Sequence, residues 1–401
     1  MSKNQRRGLS SFDALGDMFN IPKINDSKQL GIVTEANSYT GEFKIKNCRD
    51  NCLHNYIETT EKKKSIKKDM SVIFEMDESN NSIKNPKFFN YSYCVPNETL
   101  LKLLNDNSEF GNFTDNFALQ LNKYAKLTIR DNKKSFALSF PDEINGFNTA
   151  KFDFEKCYNS INRINSCTIA EKLFGKNNIK TWTFKTNWRM AIGLGTESIY
   201  ETGMTLHHTY GIPYIPGQAL KGIVRSWIIK KYFYNGFMQR DIDPKKDDSR
   251  EIAAFCDKLF CLLFGCPEYA YKKGNIKSAL NSDYMGSVTF FDAFPNNLNG
   301  NTVKIDIMNP HYGEYYSDTD NKKPPADYYN PVPVNFLTVQ DTEFQFVLGI
   351  KEDKNETIAD FDGVNTDTLL NIAEKYLKEA LKEMGVGAKT AVGYGYFSET
   401  K

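Results

Sequence analysis

Residues 366–398 read TDTLLNIAEKYLKEALKEMGVGAKTAVGYGYFS, and the fold turns on how this stretch is parsed. Its first twenty residues carry apolar side chains at helical spacing, with Thr366 or Asp367 as the expected cap and Gly385 as the expected terminator. VGYGYFS then alternates as a short final strand. Between helix and strand lie Gly385, Gly387, Gly393 and Gly395, with Lys389 and Thr390 in the middle. Glycine lets a backbone adopt positive φ and approach another surface closely, so that successive N–H groups can face an anion. A tight helix-to-strand turn explains the same glycines. The helix precedes the glycines and no strand does, which excludes a nucleotide-binding P-loop.

Working outward, TEFQFVLGI (342–350) and GSVTFFDAF (286–294) read as strands, and TWTFKTNWRMAIGLG (181–195) alternates like another. IPGQALKGIVRSWIIKKYF (215–233) has a Pro-Gly entry and then helical periodicity, with Leu220, Val224, Trp227 and Ile228 on one face. The order is β-α-β-β-α-β, which predicts an α+β fold of ferredoxin-like (RRM-like) plan. Residues 236–285 and 296–340 become long insertions on it, each long enough to carry function. The start of the helix at Gly217 is a second candidate anion site, because helix N-termini present unpaired N–H groups and a positive dipole end. Lys221 and Arg225, four residues apart, form a basic ridge beside it, next to Gln218.

These segments carry a family resemblance. IPYIPGQALKGIVR and GVGAKTAVGYG look like the paired signatures of RAMP proteins, RNA binders of CRISPR systems. GLGTESIYETGMTLHHTYGIPYIPGQALKGIVR (193–225), GSVTFFDAFP (286–295), DIMNPHYGEYY (306–316) and PVPVNFL (331–337) narrow it to the family of the sixth RAMP subunit of the type III-B CRISPR effector (Cmr) complex. Serines common in the family before Leu220 are here Gln218 and Ala219, so no hydroxyl contact to phosphate carries over. The resemblance implies a non-catalytic structural subunit that holds the 3′ part of the guide RNA and caps the subunit filament. Its implied partners are guide and target RNA, the repeated RAMP backbone subunit and the small helical subunit. It implies no cofactor. The expected RNA-binding residues are Gly217, Gln218, Lys221, Arg225, Gly385, Gly387, Lys389, Thr390, Gly393 and Gly395, with the RAMP domain spanning 113–401.

Histidines 207 and 208 raise an alternative, since repeat-processing RAMP endonucleases use histidine as general acid or base. On a strand adjacent residues face opposite ways, so only one could reach RNA. A pure protein scaffold is a third reading. Asp292 at a strand end reads as a turn former as readily as a metal-assisted acid, and Asp306 with His311 makes a weak metal pair. Tyr312, Tyr315 and Tyr316 suit a subunit interface or base stacking.

The N-terminal part has a different texture. Residues 1–28 read as a flexible arm, and 29–90 alternate in short runs (LGIVTEA, GEFKIK, SVIFEMD) that suggest a small barrel resembling a cold-shock (OB) domain. The rings that stack bases in that family are replaced here by Glu42, Lys44 and Cys52, with only His54 retained. Lys44, His54, Lys62 and Lys63, together with His207 and Tyr312, are secondary candidates for RNA or partner contact. Residues 91–112 are expected to be a helical connector.

Composition bounds the rest. The 401 residues carry a net charge of +1, so any grip on a polyanion must come from local arrangement rather than overall charge. No run approaches the roughly 18–20 apolar residues of a membrane span, and the polar, basic start lacks a secretory h-region. These features predict a cytoplasmic protein. The eight cysteines lack a CxxC pair and read as free thiols. Cys48, Cys52 and His54 offer three metal ligands without a fourth, so no metal is expected.

Overall fold

A computed structural model describes residues 28–47, most of 52–93 and 116–138, residues 152 and 154, 166–233, 247–267 and most of 279–399. The chain divides into two compact units, Met1–Phe152 and Asp153–Lys401. The boundary lies well beyond residue 112, where the helical connector was expected to end. The arm expected over 1–28 lies, but for Lys28, outside the described residues.

In the first unit, strands β1 (Lys28–Asn37), β2 (Glu42–Asn47), β3 (Leu53–Ile57), β4 (Ser71–Asp77) and β5 (Ser82–Phe89) form one antiparallel sheet of order β3-β2-β1-β4-β5. Alternation sets which face is buried. In β2, Phe43, Ile45 and Asn47 are buried while Glu42, Lys44 and Lys46 are exposed. Phe43 and Ile45 pack with Val33, Ile66, Val72, Phe74 and Ile83. Tyr56 on β3 and Phe88 on β5 bring their rings to 5.9 Å, so the two terminal strands meet across this core. Downstream, strands Tyr91–Tyr93, Lys126–Arg130 and Lys133–Phe136 form a further antiparallel sheet, and a helix spans Phe117–Asn122. Apart from 91–93, the helical connector expected over 91–112 lies outside the described residues.

The second unit is built on a five-stranded antiparallel sheet in which Val288–Phe290, Glu343–Ile350, Ile179–Thr186 and Phe397–Glu399 lie in that order and the short strand Phe294–Pro295 also pairs with Glu343–Ile350. Helix Gly217–Tyr232 connects the chain-first strand to the second, and helix Leu369–Glu383 connects the third to the last. Strand Glu343–Ile350 is apolar on both faces because both are covered: Phe344, Phe346, Val347, Leu348 and Ile350 are all buried. The two long helices meet through Trp227 and Tyr376, with ring centroids 5.7 Å apart, and Trp227 Nε1 donates to Glu383 at 2.8 Å. Helix Ser166–Phe174, which carries no strong sequence signal, packs Phe174 onto Gly349. A Cβ at that glycine would lie 2.5 Å from the ring.

Helix Leu369–Glu383 buries Leu369, Leu370, Ile372, Ala373, Tyr376, Leu377, Ala380 and Leu381, one continuous apolar stripe. Its N-cap is Thr368 rather than Thr366 or Asp367. Residues 366–368 are held extended against 357–359, so the chain can turn into the helix only after them. The Thr368 hydroxyl accepts the Asn371 amide at 3.4 Å. Thr368→Ala is expected to lower unfolding free energy by roughly 0.5–1 kcal/mol, read as a shifted urea midpoint at constant slope. Gly385 ends the helix in a left-handed conformation, its amide returning to Ala380 O at 3.1 Å.

The insertion at 296–340 is largely ordered structure. Val303–Met308 and Val334–Gln340 form an antiparallel pair extended by Arg189–Met190 into a second, three-stranded sheet. In the insertion at 236–285, helices Asp247–Phe255 and Lys258–Phe264 are described, and Gly265–Cys266 pairs with Tyr284–Met285. Cys261 and Cys266 are buried and form no disulfide among the described residues. Among the described residues no helix is long and apolar enough to cross a membrane.

Candidate nucleic-acid interface

The glycine loop 385–395 is shaped by backbone packing. Gly387 has φ +97° and its Cβ would stand 2.3 Å from Ala191 O; Gly395 has φ +77° and its Cβ would stand 2.0 Å from Val386 O. No side chain fits at either place. Three amides are consumed in this fit: Val386 donates to Gly395 O (2.9 Å), Ala388 to Ala191 O (2.7 Å) and Gly395 to Arg189 O (2.7 Å). The apex is different. Lys389 is left-handed (φ +59°) and opens a short turn over Thr390–Val392. The amides of Lys389, Thr390 and Ala391 donate to no acceptor among the described residues. Gly393 closes the turn at φ +97° in open space. Lys389 lies over the Phe336 ring, its Nζ 5.6 Å from the centroid, and has no acidic partner among the described residues.

Beneath the apex sits a polar cluster that the sequence does not announce. Tyr394 OH donates to Asp306 Oδ2 at 2.6 Å, and Arg189 pairs with the same carboxylate while its Nε donates to Gln340 at 3.2 Å. Burial pushes the Asp306 carboxyl up. The hydrogen bonds from Tyr394, the Ile307 amide and Arg189, with the guanidinium charge, outweigh that and hold it below the usual carboxylate range. Burial first, and then the adjacent carboxylate, push the Tyr394 phenol up to about 12. Asp306 is therefore a structural anion buttressing the loop, and its weak pairing with His311 as a metal site gives way to that role. Only the tertiary approach of four separate segments, carrying Arg189, Asp306, Gln340 and Tyr394, creates the cluster, so no local motif could have revealed it.

The start of helix Gly217–Tyr232 corrects an expectation. Gly217 is buried, a Cβ there would lie 2.1 Å from Phe290 O, and its amide donates to Asp292 Oδ1 at 2.7 Å. The protein's own carboxylate thus occupies the place proposed for a phosphate, and Asp292 is a helix cap. Arg225 is also engaged: it pairs with Glu251 and lies over the rings of Phe255 (5.9 Å) and Phe260 (5.6 Å). Gln218 is exposed. Lys221 is half-buried, and burial pulls its ammonium below the usual lysine range. It lines an open groove of about 730 Å³ with Arg225, Phe255, Phe264, Tyr284 and Met285. Among the described residues no hydrogen bond or ion pair joins residues 217–225 to the glycine loop. The structure does not show the two segments forming a single contact surface.

Residues 207 and 208 lie in a loop rather than on a strand, because Gly211 (φ +66°) returns its amide to His207 O at 2.7 Å. His207 stacks on Tyr210 at 4.6 Å and meets Tyr214 and Phe294 edge-on, and its Nδ1 accepts the Tyr210 amide at 3.3 Å. Burial lowers its pKa. The His207 ring fills an aromatic cluster, while His208 is exposed. Tyr312, half-buried, precedes a short helix over Gly313–Tyr316, whose Tyr316 is exposed.

In the first unit, Lys44 pairs with Glu35 at 2.9 Å, Lys62 is exposed, and Lys63 lies outside the described residues. His54 turns toward the core side of β3, 6.1 Å from the Phe74 ring, with Nε2 buried. It alternates with Leu53 and Asn55, so it does not stand on the outer face as a stacking ring. Cys48 also lies outside the described residues. Among those described, no three His, Cys, Asp or Glu side chains gather for a metal.

Comparison with known proteins completes the picture. The RAMP superfamily pattern matches residues 181–398. The Cmr subunit Cmr6 of a CRISPR system in Pyrococcus furiosus is 36% identical over 245 residues, which span 55% of this chain and 67% of that protein. Its counterpart in Saccharolobus solfataricus is 26% identical over 230 residues, 56% of this chain and 60% of that protein. The crystal structure of Cmr6 from Pyrococcus furiosus aligns at 29% identity and a TM-score of 0.31, covering 55% of this chain and 98% of that one. A pattern match over more than half of its length, with this sequence relationship, places the chain in the RAMP superfamily as a homologue of the CRISPR-system Cmr subunit Cmr6.

Proposed function

We propose that the protein is a non-catalytic structural subunit of a type III-B CRISPR ribonucleoprotein that grips the sugar-phosphate backbone of guide RNA at the apex of its glycine loop. The observation that carries this reading is that, among the described residues, the amides of Lys389, Thr390 and Ala391 meet no acceptor and the Lys389 side chain has no acidic partner. Backbone amides and a cation bind phosphate without reading base identity. The strand order second, third, first, fourth supports reading the second unit as ferredoxin-like. The order β3-β2-β1-β4-β5 supports an OB-type reading of the first. Exposed Leu53 and Ile57 beside Glu42, Lys44 and Lys46 favour protein docking by that unit over base stacking. Neighbouring Cmr subunits, a position toward the guide's 3′ part at the filament end, target RNA nearby and a cytoplasmic setting belong to the same proposal.

The test is Lys389→Glu in the assembled complex. Guide retention is expected to fall about tenfold, with sequence preference unchanged. Loss of one charged phosphate contact should flatten the slope of log affinity against log salt by about 0.7 for a single strand. Unchanged retention would remove the site assignment. The endonuclease reading is checked by incubating repeat RNA with the purified chain: cleavage abolished by His207→Ala or His208→Ala would replace the structural role.

A further inference from the structure

Trp188 sits in the turn between strands Ile179–Thr186 and Arg189–Met190, at the rim of the glycine loop, and is 51% exposed. A bare indole in a tight turn normally leaves water by folding onto the nearest apolar surface. This one is held at the surface by its neighbours. Tyr394 packs against it with ring centroids 4.7 Å apart, and the Arg189 guanidinium lies 5.6 Å from its ring. Both are fixed in turn, Tyr394 and Arg189 by the shared Asp306 carboxylate. The Asn187 amide, one residue before, is tied to Tyr396 O at 2.9 Å. The indole is therefore a braced platform with half its surface open. Tyr394 is also the residue whose backbone amide returns to Lys389 O at 3.4 Å, so Trp188 meets the ring, and the amide-bearing apex the backbone, of the same residue.

We infer that Trp188 is a stacking platform for a nucleobase of single-stranded RNA whose phosphate is held by the Lys389–Ala391 apex. The inference rests on the proposed phosphate grip and adds to it a contact with a base. Every base has a π-face, so such a platform is tolerant of sequence, in keeping with a grip that does not read the guide. An electron-rich indole backed by a guanidinium and a phenol is pre-ordered, and little side-chain freedom is lost when a base lands on it.

The experiment compares the full chain with Trp188→Ala, Trp188→Phe and Lys389→Glu variants. Each is titrated by fluorescence anisotropy with a single-stranded oligoribonucleotide and with an abasic ribose-phosphate chain of equal length. Trp188→Ala is expected to weaken binding of the base-bearing strand about tenfold, Trp188→Phe to restore most of it, and neither to alter binding of the abasic chain. Lys389→Glu should weaken both ligands alike. If Trp188→Ala binds both as the unsubstituted chain does while Lys389→Glu weakens both, the stacking platform is wrong and the phosphate grip stands. A Trp188→Ala loss that is equal for the abasic chain also overturns it, because the residue then acts by shaping the loop. If Lys389→Glu weakens neither, the phosphate grip fails, and the platform falls with it as a site built on that grip.

Discussion

Gly395→Ala is expected to destabilise the second unit by about 2–5 kcal/mol, the largest single-residue effect foreseen in the loop. Two independent costs add. A left-handed backbone costs an L-residue roughly 1–2 kcal/mol, and Gly395 stands at φ +77°. Overpacking typically costs about 1–3 kcal/mol more, and here the new Cβ would lie 2.0 Å from Val386 O. The backbone cannot step aside cheaply, since Gly395 both accepts from Val386 at 2.9 Å and donates to Arg189 O at 2.7 Å. Gly393→Ala is the control: its φ is +97°, but nothing lies within 4 Å of the added Cβ. It should show only the conformational cost, about 1–2 kcal/mol. Urea unfolding of the full chain, followed by tryptophan fluorescence, reads both. Equal losses for the two variants would mean that the close approach of Gly395 to Val386 is not maintained in solution.

Asp306→Ala is expected to cost about 2–3 kcal/mol. The substitution leaves the Arg189 guanidinium and the Tyr394 hydroxyl without their shared acceptor. Orphaning a fully buried charge costs about 3–5 kcal/mol. The side chains of this pair retain 24% and 21% exposure, so water recovers part of that. The pH dependence follows from the sign of the shift. The folded carboxyl titrates below its ordinary value, net of the burial that opposes this. Its contribution is therefore fully present above the ordinary carboxylate value of about 3.9, and is lost as pH falls through the folded value beneath it. The stability gap between the unsubstituted chain and Asp306→Asn should thus be flat from pH 7 to about 4 and shrink in more acidic solution. A gap that widened on acidification would show that Asp306 is not held as a stabilised anion.

These two residues illustrate different degrees of legibility. Gly395 was visible as one of four glycines between a helix and a strand, and its backbone role follows from residue type. Asp306 was visible only as an acid near a histidine. Its true partners, Arg189 and Tyr394, are 117 and 88 residues away along the chain. Gly217 shows a third case. Its position at a helix start was plain, and a free helix start does attract anions, but Asp292, 75 residues away, already supplies the anion.

The strand and helix order of the sheet spanning 179–399, the apolar stripe of helix Leu369–Glu383, its stop at Gly385 and the likeness to the RAMP superfamily are written in local residue patterns. Such patterns suffice because period, capping and glycine conformation act over a few residues. Which amides remain open, which cations are already paired and which aromatic rings stand at the surface depend on what folds against them from afar. Thus the open apex at Lys389–Ala391, the closed helix start at Gly217, the inward turn of His54 and the braced indole of Trp188 became visible only when distant segments were packed together. A hydrogen-bonding group is available to a ligand only after every intramolecular competitor has been placed.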